Sequence, residues 1–74
     1  MLRTTARRKL NKVMGPRSGP TLYQDTCREL GLEEIQTPND SLLFGDALIA
    51  KGGILASVGR SIKIQAILFG AVEA

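Results

Sequence analysis

Histidine is absent from this chain of 74 residues, and cysteine occurs only once. Without imidazole the chain lacks the usual general base of nucleophilic catalysis and the commonest metal ligand. A single cysteine excludes an intramolecular disulfide and the cysteine clusters of zinc fingers. We therefore predict no catalytic site, no metal site and no cofactor, and we expect that the protein is not an enzyme.

Long apolar runs are missing as well. No stretch approaches the ~20 uninterrupted apolar residues of a membrane-spanning helix, so we predict no transmembrane segment. The length allows one domain at most. So small a domain buries only about 60% of the surface of its unfolded chain, and neither a disulfide nor a metal is available to stabilise it. We therefore expect a protein partner, either a second copy or another chain.

Acidic side chains are missing from residues 1–20, which carry six basic ones. Residues 21–74 carry four basic and seven acidic side chains, so the net charge of +3 originates in the N-terminal segment. Such a segment is a candidate site for nucleic-acid phosphates, an anionic membrane surface or an acidic protein face, and a solvated helix is the plainer alternative. The candidate contacts are Arg3, Arg7, Arg8, Lys9, Lys12 and Arg17.

Helical spacing of apolar residues predicts a first helix over residues 4–14 and a second over residues 21–30. The segment between them, residues 15–20, has the sequence GPRSGP. Glycine relaxes the backbone and proline cannot continue a helix, so we predict a loop there. We expect residues 1–19 to form a basic helix or arm with this loop, and residues 20–74 to form the helical core domain.

A start signal for a third helix, over residues 38–51, follows at Thr37-Pro38-Asn39-Asp40, where Thr37 can cap the helix and Asp40 resembles the acidic partner of a capping box. Apolar residues surround this helix, which is typical of a helix that is buried or shared with a partner. The candidate interface residues, including two from the last segment, are Leu42, Phe44, Ile49, Gly59 and Phe69.

The last segment, over residues 54–70, fits two structures. Helical spacing of apolar residues extends over fifteen residues, whereas strand alternation extends over about five, so helix is favoured. We predict an all-α fold, a small bundle of three to four short helices. The alternative is an α+β fold with a C-terminal β-hairpin that turns at Gly59-Arg60. The predicted core consists of Leu22, Leu30, Ile35, Leu43, Ala47, Leu48, Leu55, Val58, Ile62 and Ala66.

The only thiol, Cys27, lies on the apolar face of the second predicted helix, which favours a buried small hydrophobe over a nucleophile. These features favour a non-catalytic protein-interaction or regulatory module, acting as a homo-oligomer, such as a homodimer, or as a subunit of a larger assembly. A nucleic-acid-associated protein that uses its basic N-terminal arm on phosphates is the alternative, and peripheral membrane binding is a third hypothesis. The low cysteine content favours a cytoplasmic location.

Overall fold

Three helices and no strand make up residues 2–71, the part of the chain that the computed structural model describes, with side chains described from Thr4 onward. Helix α1 spans Leu2–Glu29, α2 spans Pro38–Lys51 and α3 spans Gly53–Leu68. The prediction of a small all-α bundle is confirmed. The alternative with a C-terminal β-hairpin is wrong, because the segment concerned is one continuous helix.

Helix α1 is interrupted only at Gly15, whose backbone combines a positive φ (89°) with an extended ψ (166°). The predicted loop over residues 15–20 is therefore wrong: the chain is helical again from Pro16 onward. The first N–H groups of a helix have no hydrogen-bond partner inside the helix. Proline has no N–H group, so Pro16 costs the second half of α1 no hydrogen bond at that position. Glycine alone reaches the Gly15 conformation without a steric penalty, which explains why the break falls on this residue.

The two halves of α1 fold back on each other at this break. Asn11 and Gly19 lie four residues before and after Gly15, and a Cβ added to Gly19 would collide with the backbone and side chain of Asn11. Arg7 and Tyr23 lie eight residues before and after it, and the Arg7 guanidinium lies 5.6 Å from the centre of the Tyr23 ring. The halves therefore pack as an antiparallel hairpin in which Gly19 permits close approach.

Helix α2 begins at the predicted capping box. The backbone N–H of Asp40 donates to Thr37 Oγ1 (3.1 Å), and the N–H of Thr37 donates to the Asp40 carboxylate (3.2 Å). Two of the helix's orphan donors are satisfied in this way. The helix ends at Lys51, and Gly52 alone links it to α3. So short a connection makes α2 and α3 antiparallel neighbours.

One core is shared by all three helices and the loop before α2. Both halves of α1 contribute to it, so residues 4–14 pack with the rest of the molecule. Its buried members are Ala6, Leu10, Tyr23, Cys27, Ile35, Phe44, Leu48, Val58 and Ile62. A smaller cluster near the end of α3 consists of Leu42, Ala66 and Ala71.

Most of the predicted core residues lie inside or at the edge of these clusters. Leu22, Leu30 and Leu55 are partly buried against the main cluster. Ala47 is partly buried but belongs to neither cluster, and Leu43 departs most from the prediction, because its side chain is half exposed. It lies on the outer side of α2, whereas its neighbours Leu42 and Phe44 point inward. An all-round apolar helix does not reveal which of its sides faces solvent, and this explains the error.

Candidate interaction surfaces

Tyr23 holds the N-terminal half of α1 and the loop before α2 together. Its hydroxyl accepts a hydrogen bond from the backbone N–H of Ile35 (2.9 Å). Its ring packs against Phe44, with 5.3 Å between the ring centres, and the guanidinium of Arg7 lies over it. Burial is the main cause that raises the pKa of the Tyr23 hydroxyl. Tyr23 is thus a structural residue that also positions Arg7 at the surface.

Cys27 is buried one helical turn after Tyr23 and is not in a disulfide. Burial raises the pKa of its thiol, and a hydrogen bond with Tyr23 offsets part of this effect. A raised pKa keeps the thiol protonated, which is the opposite of what a nucleophile needs. The expectation of a buried Cys27 is therefore confirmed.

Neither a metal centre nor a membrane-spanning helix is found in the described part of the chain. Within residues 2–71, no three cysteine or acidic side chains come together in an arrangement that could hold a metal ion. Across the same residues, no helix combines the length and the apolar character needed to cross a membrane. The candidate features that remain are two surfaces, one basic and one apolar.

The basic face of α1, defined as Arg7, Arg8, Lys9 and Lys12, is the first surface. Arg7, Arg8 and Lys12 are exposed and Lys9 is partly exposed, while Ala6 and Leu10 on the other side of this half-helix are buried. None of the four cations forms an ion pair with a described residue. The described ion pairs are Arg28–Asp25, Lys51–Glu29 and Lys63–Asp46. Their carboxylates therefore neutralise cations of other segments.

The other predicted basic residues lie at the margins of this face. Arg17 is exposed beyond the Gly15 break, and it lines a groove with Ser18, Thr21 and Asp25. The side chain of Arg3 lies outside the described part of the chain. The structure thus places four of the six candidate residues on one half-helix, with Arg7 and Arg8 lining one groove and Lys9 and Lys12 lining another, and places Arg17 beyond the Gly15 break in a groove that includes Asp25.

The second surface is the apolar α2/α3 face, defined as Leu43, Ile64, Ile67 and Leu68. All four side chains are 44–74% exposed. The Asp46 carboxylate and the Lys63 ammonium, 3.0 Å apart, join the outer edges of α2 and α3. Leu43 lies one turn before Asp46 and Ile67 one turn after Lys63, so the antiparallel helices place them on the same side of this ion pair. Phe69, just after α3, is also half exposed.

The predicted interface residues are divided between the interior and the surface. Leu42, Phe44 and Gly59 are buried within the single chain, Ile49 is partly buried, and Phe69 is exposed. Phe44 packs against Tyr23 of α1, and Gly59 packs against α2. Once α1 and α3 cover these sides of α2, Leu43 is the large apolar side chain of α2 that stays exposed, and it is joined on the α2/α3 face by Ile64, Ile67 and Leu68.

The sequence prediction missed Ile64, Ile67 and Leu68 as surface residues. Their spacing of three and four residues, on the side of α3 opposite Ile62 and Ala66, is the signal that could have identified them.

Comparison of the chain with models of protein families, with curated proteins and with solved structures found no match.

Proposed function

We propose that this protein is a small non-catalytic interaction module that self-associates through the apolar α2/α3 face. The observation that carries this proposal is the exposure of Leu43, Ile64, Ile67 and Leu68 on one side of a helix pair. Contiguous exposed apolar side chains rimmed by polar residues mark interaction sites on small proteins. The buried thiol and the lack of histidine support the non-catalytic part.

A second copy of the chain is the partner that the charges on this face favour. In a two-fold symmetric dimer the same patch lies on both subunits, so a patch whose charges all have one sign would face a patch of the same sign and be repelled. Asp46 and Lys63 at the edge of this face carry opposite charges, so one copy can present its acid to the base of the other. The basic face of α1 would repel itself in the same situation, which keeps it out of such an interface.

The size of the molecule is compatible with this arrangement. Its accessible surface is 4583 Å². A standard interface buries about 800 Å² of each partner, which is roughly a sixth of that surface. Burial of these four aliphatic side chains in an interface would add to the apolar area that the single chain already buries in its core. The intracellular, cytoplasmic setting stays part of the proposal, because a lone unpaired cysteine is typical of reducing compartments.

Sedimentation equilibrium of the full chain at micromolar concentrations tests this proposal. We expect a reversible dimer for the unchanged protein and a monomer for the double variant Ile64→Lys/Leu68→Lys, because two added cations in the interface face their symmetry mates. Ile54→Lys is the matched control: Ile54 is also exposed on α3, but it lies ten residues before Ile64, at the other end of the helix.

Circular dichroism checks that each variant keeps its helical content. A protein that stays monomeric at all concentrations tested contradicts the proposal. Equal weakening of the dimer by Ile54→Lys and by the double variant also contradicts it, because the effect would then follow net charge and not the location of the face.

A further inference from the structure

We propose that the basic face of α1 binds the phosphate backbone of a nucleic-acid duplex. This inference concerns a surface separate from the α2/α3 face, and it stands whether or not the protein forms a dimer. It rests on three features of Arg7, Arg8, Lys9 and Lys12: the lack of carboxylate partners among residues 4–71, the polar groups between them and the rigidity of the segment that carries them.

Uncompensated charge is the first feature. Four cations within six residues have no ion pair with a described residue, although the described part of the chain contains several carboxylates. Asp40, for example, caps α2 through Thr37. A cation that already has a carboxylate partner gains little from a phosphate, whereas an unpaired one releases counterions from the nucleic acid when it binds. The face is therefore available to an external polyanion.

Polar side chains between the cations are the second feature. Thr4 and Asn11 line one shallow groove together with Arg7 and Arg8. Threonine hydroxyl and asparagine amide groups donate hydrogen bonds to phosphate oxygens, and such contacts fix a protein on the duplex without reading its sequence. Lys9 and Lys12 line the adjacent groove, whose opposite wall includes Ser57 and Ser61 of α3.

The rigidity of this half-helix is the third feature. Leu10 is completely buried in the core, and the guanidinium of Arg7 rests over the Tyr23 ring at 5.6 Å. The cations therefore project from an ordered helix, and less conformational entropy is lost when they bind than in a disordered arm.

A duplex fits this surface better than a membrane or a single strand. An interfacial membrane helix must insert its apolar side, but Ala6 and Leu10 are in the core of the protein and could insert only if the bundle opened. Stacking of single-stranded bases needs exposed aromatic rings, and Tyr23, the one aromatic residue near this face, is buried beneath Arg7. Phosphate contact without base readout is what the face can provide.

Fluorescence anisotropy with a labelled DNA duplex and a labelled RNA duplex, at several salt concentrations, tests the proposal. For four phosphate contacts we expect log K to fall with log salt at a slope of about −3.6 on DNA, and the variant Arg8→Gln/Lys12→Gln to reduce that slope to about −1.8. At low salt this variant should bind at least about tenfold more weakly, because two counterion-releasing contacts are lost.

Arg60→Gln is the matched control for Arg8→Gln. Both arginines are exposed and outside the described ion pairs, but Arg60 lies on α3 away from the groove that α3 shares with Lys9 and Lys12. We expect Arg8→Gln to lower the slope by about 0.9 and Arg60→Gln to leave it unchanged. Equal effects of the two substitutions would overturn the assignment of the site to α1.

Two further results would overturn the proposal. One is the absence of binding to either duplex at low salt. The other is binding to vesicles of phosphatidylcholine and phosphatidylserine in the absence of any binding to the duplexes. Loss of that vesicle binding when phosphatidylserine is left out would assign the face to an anionic membrane. Binding to one or both duplexes with the expected variant effects supports it. Circular dichroism of each variant, whose substituted side chains are exposed, verifies that the bundle stays folded.

Discussion

Gly45 and Gly59 bring the backbones of α2 and α3 into direct contact. A Cβ added to Gly59 would lie 2.5 Å from the carbonyl oxygen of Gly45, and one added to Gly45 would lie 2.8 Å from the carbonyl oxygen of Gly59. Both distances are shorter than van der Waals contact, so any larger residue must push the helices apart. This close approach, together with α1, buries Leu48 and Phe44 completely.

Replacement of Gly59 by alanine should therefore destabilise the protein. Alanine is intrinsically about 1 kcal/mol better than glycine inside a helix, so a net loss can come only from the steric clash. We expect the free energy of unfolding to fall by about 1–3 kcal/mol, measured by urea denaturation. The control Ser57→Ala, at an exposed position of α3, should change it by no more than about 0.5 kcal/mol. A Gly59→Ala protein as stable as the original would show that the helices separate without cost.

Removal of the Tyr23 hydroxyl should destabilise the protein and loosen the loop before α2. In Tyr23→Phe the ring contacts with Phe44 remain possible, but the buried N–H of Ile35 loses its acceptor. An unsatisfied buried donor costs about 1–3 kcal/mol. We expect a loss of that size in the free energy of unfolding and faster hydrogen exchange of the Ile35 amide. Unchanged exchange at Ile35 would contradict this role of Tyr23.

Replacement of Thr26 by valine should stabilise the protein. Thr26 is completely buried, and its hydroxyl has no hydrogen-bond partner among the described residues. Valine has nearly the same shape without the polar group, so we expect a gain of about 1 kcal/mol in thermal or chemical denaturation. Thr21→Val is the control: Thr21 is exposed and its hydroxyl donates to the carbonyl of Arg17 (3.3 Å), so no gain is expected there. A loss of stability in Thr26→Val would refute this assignment.

Stability should decrease at alkaline pH, partly because of Cys27. Burial raises the pKa of this thiol in the folded state, whereas an unfolded thiol ionises near pH 8.5. The folded state therefore binds more protons above that pH, and the free energy of unfolding falls as the pH rises toward the folded pKa. The raised pKa of Tyr23 acts in the same direction from about pH 10 upward.

Denaturation curves of the original protein and of Cys27→Ala, measured from pH 7 to pH 10, isolate the contribution of the thiol. We expect a smaller decrease in stability with pH for the variant. Thiol-reactive reagents should modify the native protein slowly and the urea-unfolded protein rapidly, since Cys27 is buried. Identical pH profiles for the two proteins would contradict the predicted contribution.

The sequence predicted a helix boundary correctly where particular side chains form the cap of the helix. Thr37, Pro38 and Asp40 set the start of α2, and the capping bonds form as expected. The loop predicted around Pro16 was wrong for a physical reason: proline disrupts a helix interior but is tolerated in a first turn, and a single glycine at position 15 is enough to reverse the chain. Proline and glycine content alone does not distinguish these cases.

Composition and spacing by themselves determined that this chain is helical, that its positive charge is concentrated in the first twenty residues and that imidazole chemistry is absent. These properties depend on residue identity and on neighbours three or four positions away. Only the tertiary structure decided that Phe44 lies inside and Leu43 outside, and that Arg7 rests over Tyr23. Those outcomes depend on which helix covers which side of another, and that choice is made by contacts between residues distant in the chain, such as Gly45 with Gly59.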